Sequence, residues 1–134
     1  MIVADSSALI EYYRRGGSPA VQEAVAAAIA DDALAFNGII FVEVVGFAAD
    51  ERERQALLAS FGAFRRLALE DEDFDLAADI GFDLRRHGRT VPATDLIIAA
   101  CAIRARAELL HVDDHFADIA TVSALVSRNP SKPA

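Results

Sequence analysis

The sequence contains one cysteine, no tryptophan and a single lysine among its 134 residues. A lone Cys101 cannot form an internal disulfide, which is typical of proteins from a reducing compartment. The chain begins without the basic segment and apolar stretch of a signal peptide. Its longest apolar runs, such as residues 96–103, are too short to cross a bilayer. We therefore expect a cytoplasmic protein without a membrane anchor.

Positive charge is also scarce. Lysine and arginine total 13 against 21 acidic residues, which gives a net charge of −8 and argues against non-specific binding to nucleic acid. Every cation except Lys132 is an arginine, however, and arginine binds phosphate in a bidentate manner. The arginines therefore leave two alternatives: a local basic surface that binds phosphate, or side chains that lie in solvent as most charged residues do. Charge alone does not decide the function.

What the chain does contain is enough apolar sequence for one globular core. Hydrophobic residues make up 54% and charged residues 25%, which fits a single folded domain. Apolar segments predict strands at residues 2–5, 33–36, 67–69 and 109–112, and an edge strand at 122–126. Strands that alternate with helices indicate an α/β fold, a three-layer α/β/α sandwich around a mainly parallel sheet. We expect residues 1–126 to form the domain and residues 127–134 a polar tail.

Helix boundaries are marked by capping residues. Ser18 followed by a proline predicts a helix start, as does Asp50, and the acidic residues 70–75 suit the positive end of another helix. Gly88 is a typical C-terminal stop. Thr94 is a candidate N-cap for a buried helix over residues 95–106. Residues 39–49 are apolar almost all round, which predicts a helix buried on most faces.

Four acidic residues stand where surface chemistry explains them poorly. Asp5 and Asp113 each follow a predicted strand, and ligands gather at strand ends in parallel α/β folds. Glu43 lies within an apolar helix, where an unpartnered carboxylate is costly, and Asp95 opens another such helix. Each also has an ordinary explanation: a cap, a favourable charge at a helix N-terminus, or a helix margin that reaches solvent.

Convergence of these four carboxylates would require a cation. Two carboxylates about 4 Å apart repel by about 1 kcal/mol in water and about 4 kcal/mol at an effective dielectric constant of 20. A divalent cation removes that penalty, and oxygen ligands favour Mg²⁺ or Mn²⁺ over zinc. If the four acids meet, the sequence therefore predicts a magnesium or manganese site.

The same acids carry a family resemblance that extends over residues 1 to about 120. Four segments resemble, in order, the motifs of VapC-type PIN domains: Asp5-Ser6-Ser7-Ala8-Leu9, Glu43 in its helix, Asp95-Leu96-Ile97-Ile98-Ala99-Ala100, and Leu109-Leu110-His111-Val112-Asp113-Asp114-His115-Phe116. The resemblance implies a PIN-like fold and a Mg²⁺- or Mn²⁺-dependent endoribonuclease. It further implies the toxin of a toxin–antitoxin pair, inhibited by a VapB-type antitoxin and assembled as dimers.

The resemblance also assigns roles to particular residues. Asp5, Glu43, Asp95 and Asp113 match the catalytic, metal-binding acids of the family, and Ser6 matches its small hydroxyl neighbour. One position departs from the family pattern, which often reads Asp-x-Asp-Phe where this chain has Asp113-Asp114-His115-Phe116. Whether Asp114 substitutes for the missing acid, and whether one or two metals bind, stays open. His111 and His115 are either structural or assist the reaction.

The expected reaction is hydrolysis of RNA phosphodiester bonds. Water activated by a metal on Asp5 and Asp95, with Glu43 and Asp113 bound directly or through water, would attack the phosphate. Glu43 or Asp113 would orient that water. Looped RNA, such as the loops of tRNA, is favoured over duplex because a cleft needs exposed phosphates and splayed bases.

Other functions remain to be weighed. A non-catalytic PIN-like binding or regulatory domain would be expected to lack one or more of the acids. A phosphoacceptor receiver domain would need a lysine near the site, and Lys132 lies in the tail. Dinucleotide binding is disfavoured since no G-x-G-x-x-G follows the first strand. Apolar residues 36–47 either fill the core or leave a groove for a helix of the antitoxin.

Overall fold

A computed structural model describes residues 1–133. Five short strands and seven helices alternate along this part of the chain, so that most strands are followed by one or two helices. The elements are β1 (Ile2–Ala4), α1 (Ser6–Tyr13), α2 (Pro19–Ala30), β2 (Leu34–Asn37), α3 (Gly38–Val45), α4 (Glu51–Ala63), β3 (Arg65–Leu67), α5 (Asp71–Arg86), α6 (Ala93–Arg104), β4 (Glu108–Leu110), α7 (Asp114–Thr121) and β5 (Ser127–Arg128).

All strands are parallel and lie in the order β3-β2-β1-β4-β5. Helix α1 contacts α2 and α3, and α3 contacts α4, while α5, α6 and α7 form a second mutually packed group. Right-handed crossovers that run in opposite directions from the central strand place these groups on opposite faces of the sheet. The predicted three-layer α/β/α sandwich is confirmed. Because β1 and β4 are adjacent, the residues that follow them share one edge of the sheet.

Most predicted helix starts are confirmed. The Ser18 hydroxyl accepts the Val21 N–H at the start of α2, and Asp50 accepts the Glu53 N–H at the start of α4. Glu70 opens α5 through a capping box with Asp73, whose carboxylate accepts the Glu70 N–H at 2.9 Å. Gly88 follows α5 with a positive φ of 75°, a backbone conformation that favours glycine.

Both edge strands lie elsewhere than predicted. The strand predicted at 67–69 is Arg65–Leu67, and the strand predicted at 122–126 is Ser127–Arg128. An edge strand has one hydrogen-bonded neighbour and exposed faces, so an apolar run does not mark it. Register with the inner strand decides its place instead: Ala35 pairs with Arg65, and Leu109 with Ser127. The last strand thus uses the first residues of the segment predicted as a tail, whose final residue, 134, lies outside the described residues.

Two helix predictions are also corrected. Thr94 is not an N-cap, because α6 begins at Ala93 and the carbonyl of Pro92 already accepts the N–H groups of Asp95 and Leu96. The apolar helix predicted over residues 39–49 ends at Val45, with Gly46 as its C-cap. Within residues 1–133, none of the helices has the length and apolar character needed to cross a membrane.

A charged pair joins the second helix layer to the sheet edge. Asp73 is completely buried and accepts a hydrogen bond of 2.6 Å from Arg104 Nε at the end of α6, whose guanidinium also donates to the Ala68 carbonyl at 2.7 Å. The arginine satisfies a carboxylate that would otherwise be costly to bury. These contacts fix α5 against α6, the helix that carries Asp95.

Candidate active site

The two carboxylate oxygens of Asp5, which follows β1, have different surroundings. Its Oδ2 accepts the Ser7 N–H at 3.0 Å and the Ser7 hydroxyl, so it caps α1. Its Oδ1 is buried and has no hydrogen-bond donor among the described residues. The side chain is 3% exposed, and burial raises its pKa from 3.8 to about 6, with further contributions from the charges of Asp95 and Glu43. The N-cap predicted for Asp5 is confirmed and uses Oδ2, whereas Oδ1 takes no part in the cap.

Glu43 projects from α3 towards the start of α1. Its Oε1 accepts a hydrogen bond of 3.1 Å from the Ser6 hydroxyl, and the residue is half-buried. Burial raises the pKa of Glu43, and repulsion from Asp95 and Asp113 adds to the shift while the Ser6 bond opposes it. Ser6 thus fixes the direction of one acid while Ser7, its neighbour, fixes another.

Asp95, Asp113 and His115 form a compact group that can hold a metal ion, with one ligand atom from each within 4.8 Å of the others. The His115 Nδ1 lies 2.9 Å from Asp95 Oδ2 and 3.2 Å from Asp113 Oδ1. Burial raises the pKa of Asp95. The hydrogen bond between His115 and Asp95 raises the pKa of His115. Asp113 also caps α7 by accepting the His115 N–H at 2.9 Å.

The neighbouring candidates fall into different places. Asp114 is exposed and pairs with Lys132, away from the acid group. His111 is 3% exposed, its Nδ1 accepts the Asp113 N–H at 3.2 Å, and burial lowers its pKa. It therefore supports the backbone of Asp113 as a neutral ring. Of the residues left open by the sequence, His115 joins the group while Asp114 does not.

Ser7 is a contributor that sequence reasoning missed. Its hydroxyl donates to Asp5 and accepts the Val112 N–H at 3.1 Å, which links the residues after β1 to those after β4. The hydroxyl of Ser7 therefore holds the two neighbouring strand ends that carry Asp5 and Asp113. The only local signal was the second serine after Asp5, which is also an ordinary helix-start residue.

The chemistry of this donor set fits a divalent cation. Four acids influence one another electrostatically, and the pKa values of Asp5, Glu43 and Asp95 are all raised. A buried carboxylate oxygen without a donor, such as Oδ1 of Asp5, is costly unless a cation binds it. The arrangement can bind a hard metal ion and a phosphate beside it.

Comparison with known sequences finds a matching domain family and individual relatives of this chain. The model of the PIN domain family matches residues 2–122. Over 129 residues, which are 93% of this chain and 96% of the relative, the sequence is 36% identical to ribonuclease VapC11 of Mycobacterium tuberculosis. The same figures hold for a VapC ribonuclease of Mycobacterium bovis.

Solved structures share the fold at lower sequence identity. The crystal structure of FitAcB from Neisseria gonorrhoeae superposes with a TM-score of 0.79 at 21% identity, and covers 97% of this chain and 98% of that one. VapBC2 from Rickettsia felis, crystallised with a DNA fragment from its promoter, has a TM-score of 0.75 at 16% identity and covers 96% and 98%. At these identities, the similarity to the two structures shows a shared fold and nothing further.

The raised pKa of Asp5 predicts how the metal-free protein responds to pH. A carboxyl whose folded pKa is about 6 and unfolded value 3.8 contributes stability that is complete below pH 3.8 and lost as pH rises through 6. Since a pKa difference of one corresponds to about 1.36 kcal/mol, the unfolding free energy falls by about 3 kcal/mol over this pH range. Asp5→Asn keeps an oxygen for Ser7 and removes the charge. In EDTA, the unfolding free energy of Asp5→Asn should therefore rise relative to that of the wild type as the pH is raised from 4 to 7.5.

Chemical denaturation at several pH values measures this difference, with Asp114→Asn as the control. Asp114 is exposed and its pKa is lowered by Lys132, so that variant should show no corresponding gain above pH 6. Parallel pH profiles for Asp5→Asn and the wild type would contradict the assignment of a costly buried charge to Asp5.

Proposed function

This chain belongs to the PIN domain family, and on that premise we propose that it is a metal-dependent endoribonuclease and the toxin of a type II toxin–antitoxin pair. Its similarity to VapC ribonucleases over 93% of its length supports the activity. The observation that carries the proposal is the group formed by Asp95, Asp113 and His115, which shares its electrostatic environment with the buried Asp5. We place this activity in the domain predicted over residues 1–126 and extended by β5 to residue 128. Its proposed substrate is RNA and its proposed location is the cytoplasm.

The proposed metal site consists of Asp5 and Asp95, with Glu43 and Asp113 bound directly or through water. When bound there, a divalent cation supplies stabilisation of phosphate charge and lowers the pKa of a water molecule. Ser7 holds Oδ2 of Asp5 and leaves Oδ1 available, while Ser6 holds one oxygen of Glu43. The hydroxyls thus orient the acids before the substrate arrives.

Within this site the proton movements fall to the carboxylates. Glu43 is half-buried and has a raised pKa, so it is suited to orient the attacking water and to accept its proton as the P–O bond forms. Cleavage of the opposite P–O bond releases the leaving oxygen, which takes a proton from solvent or from a protonated group of the site. Loops of tRNA or other structured RNA are the proposed substrates, since their phosphates are accessible.

A non-catalytic regulatory PIN domain is the alternative, and the four retained acids weigh against it. The two functions are separated by incubating labelled tRNA with the wild type in EDTA, Mg²⁺ or Mn²⁺. Cleavage should require the cation and fall by about 100-fold or more in Asp5→Asn and Asp95→Asn, because loss of supporting groups alone costs 10–100-fold at metal sites. Asp114→Asn is the matched control and should cut normally. Cleavage that survives both site substitutions would contradict the proposal.

His115 bears on which cation binds. The His115 Nδ1 lies 2.9 and 3.2 Å from the nearest oxygens of Asp95 and Asp113, so His115 would offer a nitrogen donor beside these carboxylates to a bound cation. A ring nitrogen in that position disfavours Mg²⁺, which prefers oxygen ligands, relative to Mn²⁺. We therefore propose Mn²⁺ as the preferred ion and Mg²⁺ as the weaker one.

Substitution of His115 by the acid typical of the family tests this preference. In His115→Asp the concentration of Mg²⁺ that displaces half of the bound Mn²⁺ should fall by up to about tenfold, since an oxygen replaces the nitrogen. Electron paramagnetic resonance of free Mn²⁺ measures the displacement without reference to RNA cleavage. His87→Asp, an exposed position at the end of α5, is the control. Equal displacement in wild type and His115→Asp would contradict a role of the ring in ion choice.

The antitoxin partner is supported by an apolar groove beside Glu43. The groove has a volume of about 320 Å³, and Phe47 at its edge is 80% exposed. Its lining is Ile10, Tyr13, Arg14, Glu43, Val44, Phe47, Glu53 and Leu57. An amphipathic helix with a basic side chain fits apolar walls that carry two glutamates. The sequence left two roles open for residues 36–47, filling the core or forming a groove for the antitoxin. Phe36 and Ile40 fill the core, and Phe47 reaches the surface beside the groove.

Phe47→Asp should weaken capture of the VapB-type antitoxin by about tenfold or more, because an exposed aromatic anchor is replaced by a charge. Co-purification with a co-expressed VapB-type antitoxin measures the interaction. RNA cleavage by Phe47→Asp should remain, and Val126→Asp, 62% exposed beside β5, should leave capture unchanged. Full capture by Phe47→Asp would place the partner on another surface.

A further inference from the structure

We propose that a pocket between β2, β3, α3 and α4 binds one nucleotide of the RNA substrate, with the base among aromatic rings and the phosphate on Arg66. The pocket has a volume of about 330 Å³. This inference rests on the proposed ribonuclease function and adds a subsite to it, a short distance along the RNA from the bond that is cleaved.

Four phenylalanine rings line this pocket. Phe36 and Phe61 are buried and pack edge to face, with 4.7 Å between their ring centroids, so they belong to the core. Phe41 and Phe64 are only half-buried, and each packs edge to face on Phe61. Part of the surface of these two rings therefore stays accessible from the pocket. A nucleobase can pack there, because every base presents a π face to an aromatic side chain.

Arg66 is held at the rim of the pocket by two of these rings. Its guanidinium lies over Phe36 and Phe41, at 5.8 and 5.2 Å from the ring centroids. Arg66 is exposed and makes no ion pair with any of residues 1–133. The cation–π contacts restrict a flexible side chain without using its charge. The guanidinium is therefore positioned to bind a phosphate through its N–H donors.

The charge of the pocket favours an anionic ligand. Arg66 is the one charged residue among those of residues 1–133 that line it. The groove proposed for the antitoxin is different, because Glu43 and Glu53 line it and Glu43 stands about 200° around α3 from Phe41. In a chain with a net charge of −8, an unpaired arginine beside aromatic rings suits a ligand that is both anionic and aromatic. A nucleotide has both properties, whereas an apolar or basic helix does not.

Arg66 also reaches the edge of the sheet that carries the acids. One guanidinium nitrogen, Nη2, lies 3.6 Å from the place that a Cβ would occupy on Gly38, the first residue after β2. Strand β3 is two strands away from β1, which is about 10 Å at the usual strand spacing. A stacked nucleic-acid strand advances about 3.4 Å per nucleotide. A nucleotide in the pocket would therefore stand about three positions along the RNA from a phosphate at Asp5.

Fluorescence anisotropy of a labelled single-stranded RNA tests the pocket without cleavage, in EDTA and with Asp95→Asn as the parent protein. Adding Arg66→Gln should raise the dissociation constant about tenfold and reduce the slope of log affinity against log salt concentration by about 0.7, because one phosphate contact is lost. An arginine that only packs on the rings would change the unfolding free energy and leave the salt slope unchanged.

Arg15→Gln is the matched control for the loss of charge. Arg15 is exposed, makes no ion pair among residues 1–133, and follows the end of α1 that is opposite Asp5. Its substitution changes the net charge by the same amount as Arg66→Gln and should change neither the affinity nor the salt slope.

Gly62 allows the pocket to be blocked without removing any of its groups. Gly62 lines the pocket on α4, and a Cβ added to it would meet no atom within 4 Å. Gly62→Ala should therefore bind RNA as the parent protein does. Gly62→Glu places a negative charge beside the bound phosphate and should raise the dissociation constant about tenfold. Circular dichroism checks that both variants keep their helices.

Cleavage kinetics with Mn²⁺ separate this inference from the ribonuclease proposal. Arg66→Gln and Gly62→Glu in the wild-type background should raise KM and leave kcat nearly unchanged, because the pocket binds RNA away from the reacting phosphate. A wild type that cleaves RNA while both variants keep its KM, and while their dissociation constants stay unchanged, would overturn the pocket and leave the ribonuclease intact. A wild type that binds RNA through Arg66 and never cleaves it would support the pocket and contradict the ribonuclease.

Discussion

Burial of Asp5 is the constraint on which the rest of the site depends. One oxygen is consumed by the cap of α1 and by Ser7, and the other is buried without a donor. The cost of that charge raises its pKa to about 6 and leaves the carboxylate in need of a cation. The same arrangement that lowers stability at this position leaves an oxygen that can bind a metal ion. Stability and function are in direct conflict here.

Helix starts are used in a similar way throughout the site. Asp5 and Asp113 cap α1 and α7, and Asp95 lies in the first turn of α6, so each acid is held by a backbone that regular structure already fixes. The capping bonds restrict the side chains without occupying all of their oxygens. A site built on such positions is ordered before a ligand arrives, which favours tight binding of an ion that demands regular geometry.

The molecule also separates its surfaces. The groove at Phe47 lies on the side of α1, α3 and α4, whereas Asp95, Asp113 and His115 belong to α6 and to the start of α7 in the other helix layer. The metal-binding candidates and the groove can therefore be altered by different substitutions.

Local patterns in the sequence were sufficient for the fold class, the inner strands and most helix starts, and they singled out four acids as candidates, because burial and capping act over a few residues. The edge strands were misplaced since register with a neighbour, and not an apolar run, sets them. The tertiary structure alone joined Ser6 to Glu43, His115 to Asp95 and Ser7 to Val112, which stand 37, 20 and 105 residues apart. It also separated His115 from Asp114, two adjacent candidates that no local rule could tell apart. Contacts of this kind depend on how the crossovers pack, and so the positions of the acids were readable from the chain while the network that holds them was not.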